Sequence, residues 1–350
     1  MMTDVKDTTL EYPEVAPLDV TRFGRVISTG KFLPENRMTN QDMIDKYDLF
    51  ATARAVEYST GIKERRWDDQ NLSPSEFLAR AARTCLNRAG IFPEQLDKIF
   101  YAKLIGDHIV PGTALKVLQR LGVTNGVPSY DMTMACSGLT HALDLALRYI
   151  DGGDDYILIL TGAKSSREYN KEVHRDTQTI FLMGDGAAAI LVGPAERRHF
   201  YNSYLYMNSD YFDIAYVPFG SALMNGSRDY SNVMLNMNMI NGKLVNQSAL
   251  DSAVVTGQKL LDHAGMTIAD IDFLITSDQT PLLWAEILKG LNCPPEKSLS
   301  LSSRYGNTVA AMTPLILDEL ISSGKLKRGM RVLMMAHGAG SAGGGFIFEY

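Results

Sequence analysis

The chain has 350 residues, 45% hydrophobic and 21% charged, the balance of a soluble globular protein with room for two cores or one large fused one. A net charge of −6 without a basic run argues against nucleic acid as the main partner, and no apolar run reaches the roughly 18 residues of a membrane span. Three cysteines, Cys85, Cys136 and Cys293, have no metal-ligand spacing and suit a reducing, cytoplasmic setting.

The opening stretch, MMTDVKDTTLEYPEV, is acidic and polar. It has neither the apolar core of a secretory signal nor an Arg-rich amphipathic pattern, so residues 1–23 read as an N-terminal extension. Helix-like and strand-like segments then alternate, which predicts an α/β fold. SEFLARAARTCLNRAGIFPEQLDKIFYAKL (75–104) gives an amphipathic helix, a Gly stop, an acidic turn and an apolar strand. DMTMACSGLTHALDLALRYI (131–150) follows, a short strand yielding to a helix with Cys136 at the turn, and DGGDDYILILTGAKSS supplies a Gly-bearing turn and another strand. The same order then returns in ALDSAVVTGQKLLDHAGMTIADIDFLITS (249–277), GNTVAAMTPLILDEL and SSGKLKRGMRVLMMAHGAGSA. The copies lie roughly 170 to 176 positions apart, far longer than the ~20 to 50 residues of a solenoid unit. Two similar halves are expected, residues 24–195 and 196–350.

This repeat places Cys136 and Asn307 at the equivalent point of the two halves, each opening a helix after a strand. Packed about a pseudo-twofold axis, the two helix starts would converge on one pocket. Cys136 alone has two readings: a buried structural thiol, or a nucleophile whose thiolate is favoured by the helix N-terminus. Asn307 alone reads as an N-cap.

Six stretches in order resemble the thiolase superfamily, and within it the ketoacyl-acyl-carrier-protein synthase III group of condensing enzymes. They are GRVISTGKFLPENRMTN, STGIKERR (59–66), DMTMACSGLTHAL, FLMGDGAAAILV (181–192), GNTVAAM (306–312) and HGAGSAGGGFIFEY. The resemblance implies a five-layered αβαβα fold of two similar halves and a homodimer formed through the first half. It implies that Cys136 accepts an acyl group from a thioester and passes it to a nucleophile, with no cofactor and no metal. Asn307 would donate a hydrogen bond to the thioester oxygen, and Gly338 would help form an oxyanion hole. GDHIVPG would approach the partner subunit's pocket, with Val110 on the substrate path, and Met183, Met224 and the VMLNMNMI run are candidate pocket walls. Cys85, on an apolar helix face, and Cys293, before Pro294, read as structural. MGDGAAA reads as close helix-to-sheet packing rather than a phosphate loop.

Two departures from the family pattern stand out. The family's catalytic His falls in FLITSDQTPLL, where matching on the Gln selects Asp278 and spacing from Asn307 selects Ser277. An ionised Asp accepts hydrogen bonds but donates none, so Asp278 would serve better as a base for a hydroxyl or amine acceptor than as a donor for decarboxylative condensation. His337, in the closing Gly-rich loop, is the candidate substitute imidazole. Secondly, the Trp and Arg that hold coenzyme A adenine are replaced by Ala55 and Ser59, which favours a donor borne by an acyl carrier protein. KERR (63–66) and KLKRGMR (325–331) are candidate basic surfaces for that acidic carrier. The sequence thus reads as an acyltransferase of fatty-acid or secondary-metabolite biosynthesis, with carbon, oxygen and nitrogen acceptors all open. The alternative is a catalytically impaired subunit that shapes an active partner.

Overall fold

The computed structural model describes residues 12–124, 126–168, 177–217, 238–239, 241–339 and 341–350. The first sheet is built from β1 (Phe23–Phe32), β2 (Lys98–Lys103), β3 (Ser129–Thr133), β4 (Ile157–Ala163) and β5 (Gly186–Ala195), in the spatial order β1-β5-β4-β2-β3. The second contains β6 (Phe200–Met207), β7 (Phe273–Ile275), β8 (Arg331–Gly338) and β9 (Ala342–Glu349), in the order β7-β8-β9-β6. In each sheet a parallel pairing, β2 with β4 and β7 with β8, is flanked by an antiparallel one, β4 with β5 and β8 with β9.

The central strands are buried on both faces, which explains their nearly continuous apolar runs. In β4, Leu158 and Leu160 face the helices α2 (Pro74–Ala89) and α3 (Thr113–Leu121), while Ile157 and Ile159 turn the other way. There they meet α4 (Gly138–Asp151) and α7 (Met312–Ser322), whose residues Leu143, Leu147, Leu315 and Ile316 pack between the sheets. Val332 and Met334 of β8 close this central layer from the second sheet, and Leu333 and Met335 face outward to α5 (Gly242–Ala264) and α6 (Pro281–Gly290). The result is the expected αβαβα arrangement. Residues 12–22 are no free appendage, because Leu18 and Val20 are buried in the central core and Tyr12 hydrogen-bonds Ser252 at 3.0 Å.

The repeat has a definite spacing. From Gly138 to Met312, and from Ile157 to Arg331, it is 174 residues. The counterpart of Cys136 is therefore Ala310, not Asn307, which lies three residues earlier. The backbone agrees: Ala135 (φ 45°) and Val309 (φ 54°), also 174 apart, both enter the left-handed region, and each opens a 3₁₀ turn, Ala135–Ser137 and Val309–Ala311. Among the described residues, the place of β3 in the second half is taken by the single parallel bridge Leu274–Ser298.

Candidate active site

Gly138 begins α4 because no side chain fits between the helix start and β2; a β-carbon there would lie 2.6 Å from that of Ala102. The preceding 3₁₀ turn leaves Cys136 half-buried against Ala135, Ala163, Val309, Leu104, Met183 and Ala339. Gly338, at the end of β8, presses on this turn, and a β-carbon on it would fall 3.0 Å from Cys136 N and 2.9 Å from Ser137 N. The expectation of a helix-lowered thiol needs correction. Burial dominates and pushes the Cys136 thiol up to about 12, with a backbone hydrogen bond opposing it. Cys85 rises to about 12 and Cys293 to about 11, again by burial, as befits packed thiols.

Asn307 is held on three sides. Its N–H donates to Leu182 O at 2.7 Å, its carbonyl accepts from Gly184 N at 3.0 Å, and Oδ1 accepts from Val309 N at 2.8 Å. With Oδ1 committed to closing the 3₁₀ turn, the Nδ2 amide group makes no hydrogen bond to a described residue. The N-cap reading is thus partly met, and the remaining donor is spare. The segment that grips Asn307 comes from MGDGAAA: a β-carbon on Gly184 would lie 1.9 Å from Tyr305 O. The close packing is between this turn and the 305–308 loop, and it brings Met183 alongside both Asn307 and Cys136. Sequence reasoning missed Leu182 and Gly184, although the glycines of MGDG were the available signal.

Asp278 is not placed as a base. It is 1% exposed, and its carboxylate accepts from Leu301 N (2.6 Å), Ser302 N (3.0 Å), Ser300 Oγ (2.9 Å) and Ser302 Oγ (2.8 Å). Burial raises it to about 6, with the Ser302 and Leu301 backbone donors pulling the other way. These four bonds tie the loop after β7 to the chain leading into Asn307, so the side chain braces the site. Ser277 Oγ accepts from His337 N at 3.3 Å, while Gln279 Nε2 donates to His337 O at 3.3 Å. The His337 ring is 4% exposed, hydrogen-bonds Tyr206 Oη through Nδ1 at 3.0 Å, and is lowered by burial to about 4. No hydrogen bond joins it to Cys136 among the described residues.

The other expected sites lie elsewhere. Val110 stands 81% exposed, with Ile109 and Leu115, before and within α3. Met224 and nearly all of the VMLNMNMI run lie outside the described residues. The two basic runs are mixed: Lys63, Lys325 and Lys327 are exposed, whereas other members are packed. Arg65 is fully buried on Asn40 and on the Met38 and Phe181 carbonyls, and Arg328 stacks 3.9 Å over the Tyr350 ring while donating to Val26 O and Ile27 O.

A cleft of about 920 Å³ opens beside the site, between α1 (Ala53–Thr60), the first turns of α5, and α6. Ala55 and Ser59 form part of its wall, with Leu250, Leu283, Phe181 and Leu182. Since Leu182 O holds Asn307 N, the inner end of the cleft borders the amide. A cysteine at the start of a central helix, beside an asparagine held by the cleft-lining Leu182, within a five-layered duplicated fold, defines a condensing enzyme of the thiolase type.

Comparison with known proteins narrows the class. The family model for 3-oxoacyl-[acyl-carrier-protein] synthase III matches residues 130–209, and that for its C-terminal part matches residues 261–350. The chain is 31% identical over 335 residues to the beta-ketoacyl-[acyl-carrier-protein] synthase III of Neisseria meningitidis serogroup C, covering 94% of this chain and 100% of the relative. The crystal structure of 3-oxoacyl-[acyl-carrier-protein] synthase III from Aquifex aeolicus VF5 matches with a TM-score of 0.83 at 30% identity, over 93% and 100% of the two chains. The priming beta-ketosynthase of the R1128 polyketide pathway shares the fold, with a TM-score of 0.85 at 24% identity over 98% of each chain. The protein belongs to the ketoacyl-acyl-carrier-protein synthase III family of acyl-transferring condensing enzymes.

Proposed function

We propose that the enzyme joins two carrier-borne units by decarboxylative condensation, with Cys136 holding the acyl group as a thioester. Cys136 Sγ attacks the donor carbonyl and the donor's thiol departs. The proton lost by Cys136 ends on that departing thiol, so the exchange is balanced in protons. A malonyl-type thioester then loses carbon dioxide, and its carbanion attacks the acyl carbon and releases Cys136. The observation that carries this reading is Asn307: with Oδ1 fixed by Val309 N, its free Nδ2 is a preset donor for the oxygen that becomes negative on decarboxylation. Transfer to a hydroxyl or amine needs a proton acceptor, and Asp278 has both oxygens engaged. Gly338 backbone closes on the acylated turn, and Met183 walls the acyl group.

The donor is a carrier protein in this reading, because Ala55 and Ser59 offer the cleft neither an aromatic platform nor a guanidinium. A second copy of the chain would pair along β3, an edge strand with Tyr130 exposed, and cover Ile109, Val110 and Leu115. The unpaired cysteines suit the cytoplasm. Supplying acyl-carrier with malonyl-carrier should yield a 3-oxoacyl product and carbon dioxide in equal amounts. Products formed only with alcohol or amine acceptors would overturn condensation, and no turnover with any acceptor would favour the impaired-subunit alternative.

A further inference from the structure

We propose that Tyr206 is a positioning residue that keeps His337 protonated on Nε2, making the imidazole a second hydrogen-bond donor to the substrate thioester. This deepens the condensation reading and rests on it. Tyr206, Gly343 and His337 stand opposite one another on β6, β9 and β8, since His337 pairs with Gly343 and Gly343 with Tyr206. Side chains on the first and third of three neighbouring strands start about 10 Å apart, with the middle residue between them. Here the middle residue is a glycine, and the phenol lies across it. A β-carbon on Gly343 would fall 2.3 Å from Tyr206 Oη and 2.6 Å from its Cζ. The hydroxyl thereby reaches His337 Nδ1 at 3.0 Å. Tyr12 packs edge-on against the phenol at 5.3 Å and is itself tied to Ser252, which holds the ring in place.

The direction of the bond follows from the two groups. A phenol O–H is a far stronger acid than an imidazole N–H, and a ring nitrogen a far stronger base than a phenol oxygen. The Tyr206 hydroxyl also meets the Ser252 and Thr256 hydroxyls, which can donate to its oxygen; with its own proton given to Nδ1, the single proton of the neutral ring sits on Nε2. Burial keeps both groups uncharged, lowering His337 and raising Tyr206. Nε2 makes no hydrogen bond to a described residue.

The place of the ring also fits. Alternation along β8 turns Gly338 toward Cys136 and His337 toward the α5 layer, the layer that also contributes Leu250 to the cleft wall. His337 N–H meets Ser277, the residue that spacing sets at the family's His position. The donor missing from the loop after β7 is thus supplied by the adjacent strand. A ring protonated at Nε2 stabilises a developing oxyanion but takes no proton from a hydroxyl or amine.

The test is ¹⁵N NMR of histidine-labelled protein, with His337 assigned by difference against His337→Gln. Wild type should show the proton on Nε2, and Tyr206→Phe a mixture of both tautomers. In Tyr206→Phe, kcat for condensation should fall about 10- to 100-fold, as for other lost partners that orient a His, while KM for the acyl-carrier stays within about twofold. Acylation of Cys136 should persist, and Gly343→Ala, by displacing the phenol, should reproduce the pattern. A wild-type proton on Nδ1, or unchanged condensation kinetics in Tyr206→Phe, would overturn the proposal. Failure of wild-type Cys136 to acylate would overturn the parent reading instead, a result visible by mass whatever the tautomer.

Discussion

At the scale of single residues, the site is a set of donors around one thiol. Asn307→Asp separates its two tasks, because an aspartate keeps an oxygen for Val309 N but replaces the spare N–H donor with an acceptor. The variant should fold and acylate Cys136, yet condense about 100- to 1,000-fold more slowly, the usual cost of removing an oxyanion donor. Quenched-flow measurement of the two half-reactions checks this. Asp278 gives the opposite contrast. Asp278→Asn keeps an oxygen for Leu301 N and Ser302 N and turns its amide toward two hydroxyls that can accept, so condensation should stay within a few-fold of wild type. Asp278→Ala strips all four bonds and should cost about 2 to 4 kcal/mol of stability by denaturant titration. The carboxyl also has a pH signature. Its folded pKa of about 6 exceeds the ordinary 3.8, so the folded state binds the proton more tightly. Its contribution must therefore fall as pH rises from about 4 to about 6, and the Asn variant should lack that slope.

At the scale of elements, the site depends on turns forced into close contact. Gly184 has no room for a β-carbon against Tyr305 O, so Gly184→Ala should part the 182–184 segment from Asn307. The expected outcome is a folded, less stable protein that still acylates Cys136 but condenses poorly, measured by thermal melts alongside both half-reactions. Such contacts also mark where the sequence was legible. The alternating helices and strands, the Gly stops and the duplicated order were all readable, because each is written in local periodicity. The register of the repeat was readable only to within a few positions. Cys136 and Asn307 looked equivalent because both precede helices, while the equal left-handed residues Ala135 and Val309 carry no side-chain signal of their strain. Asp278 looked like a base because charge is visible in a sequence and saturation of its oxygens is not. Tyr206 was illegible altogether, since its link to His337 passes over Gly343 and joins positions 131 residues apart.

At the scale of the whole molecule, the cleft bordered by Leu182, which holds Asn307, has Ala55 and Ser59 in its wall and so offers adenine no aromatic ring or guanidinium at those two positions. Stacking on a base contributes roughly 1 to 3 kcal/mol in nucleic-acid sites, so coenzyme A esters should bind about 5- to 150-fold more weakly than in a relative that keeps the stack. Carrier-borne donors should therefore win on kcat/KM for the same acyl group, and Ala55→Trp with Ser59→Arg should narrow the gap. Equal efficiency of the two donors in wild type would show that the cleft binds adenine by other means.

The central claim is that Cys136 holds the acyl group that a carbon nucleophile then takes. Peptide-level mass spectrometry after incubation with acyl-carrier, followed by a chase with malonyl-carrier, tests it most directly. The account predicts the acyl mass on the Cys136 peptide alone, its absence from Cys136→Ala, and its quantitative transfer to a 3-oxoacyl product during the chase. Acylation at Cys85 or Cys293, or an acyl-Cys136 that survives the malonyl chase intact, would contradict it.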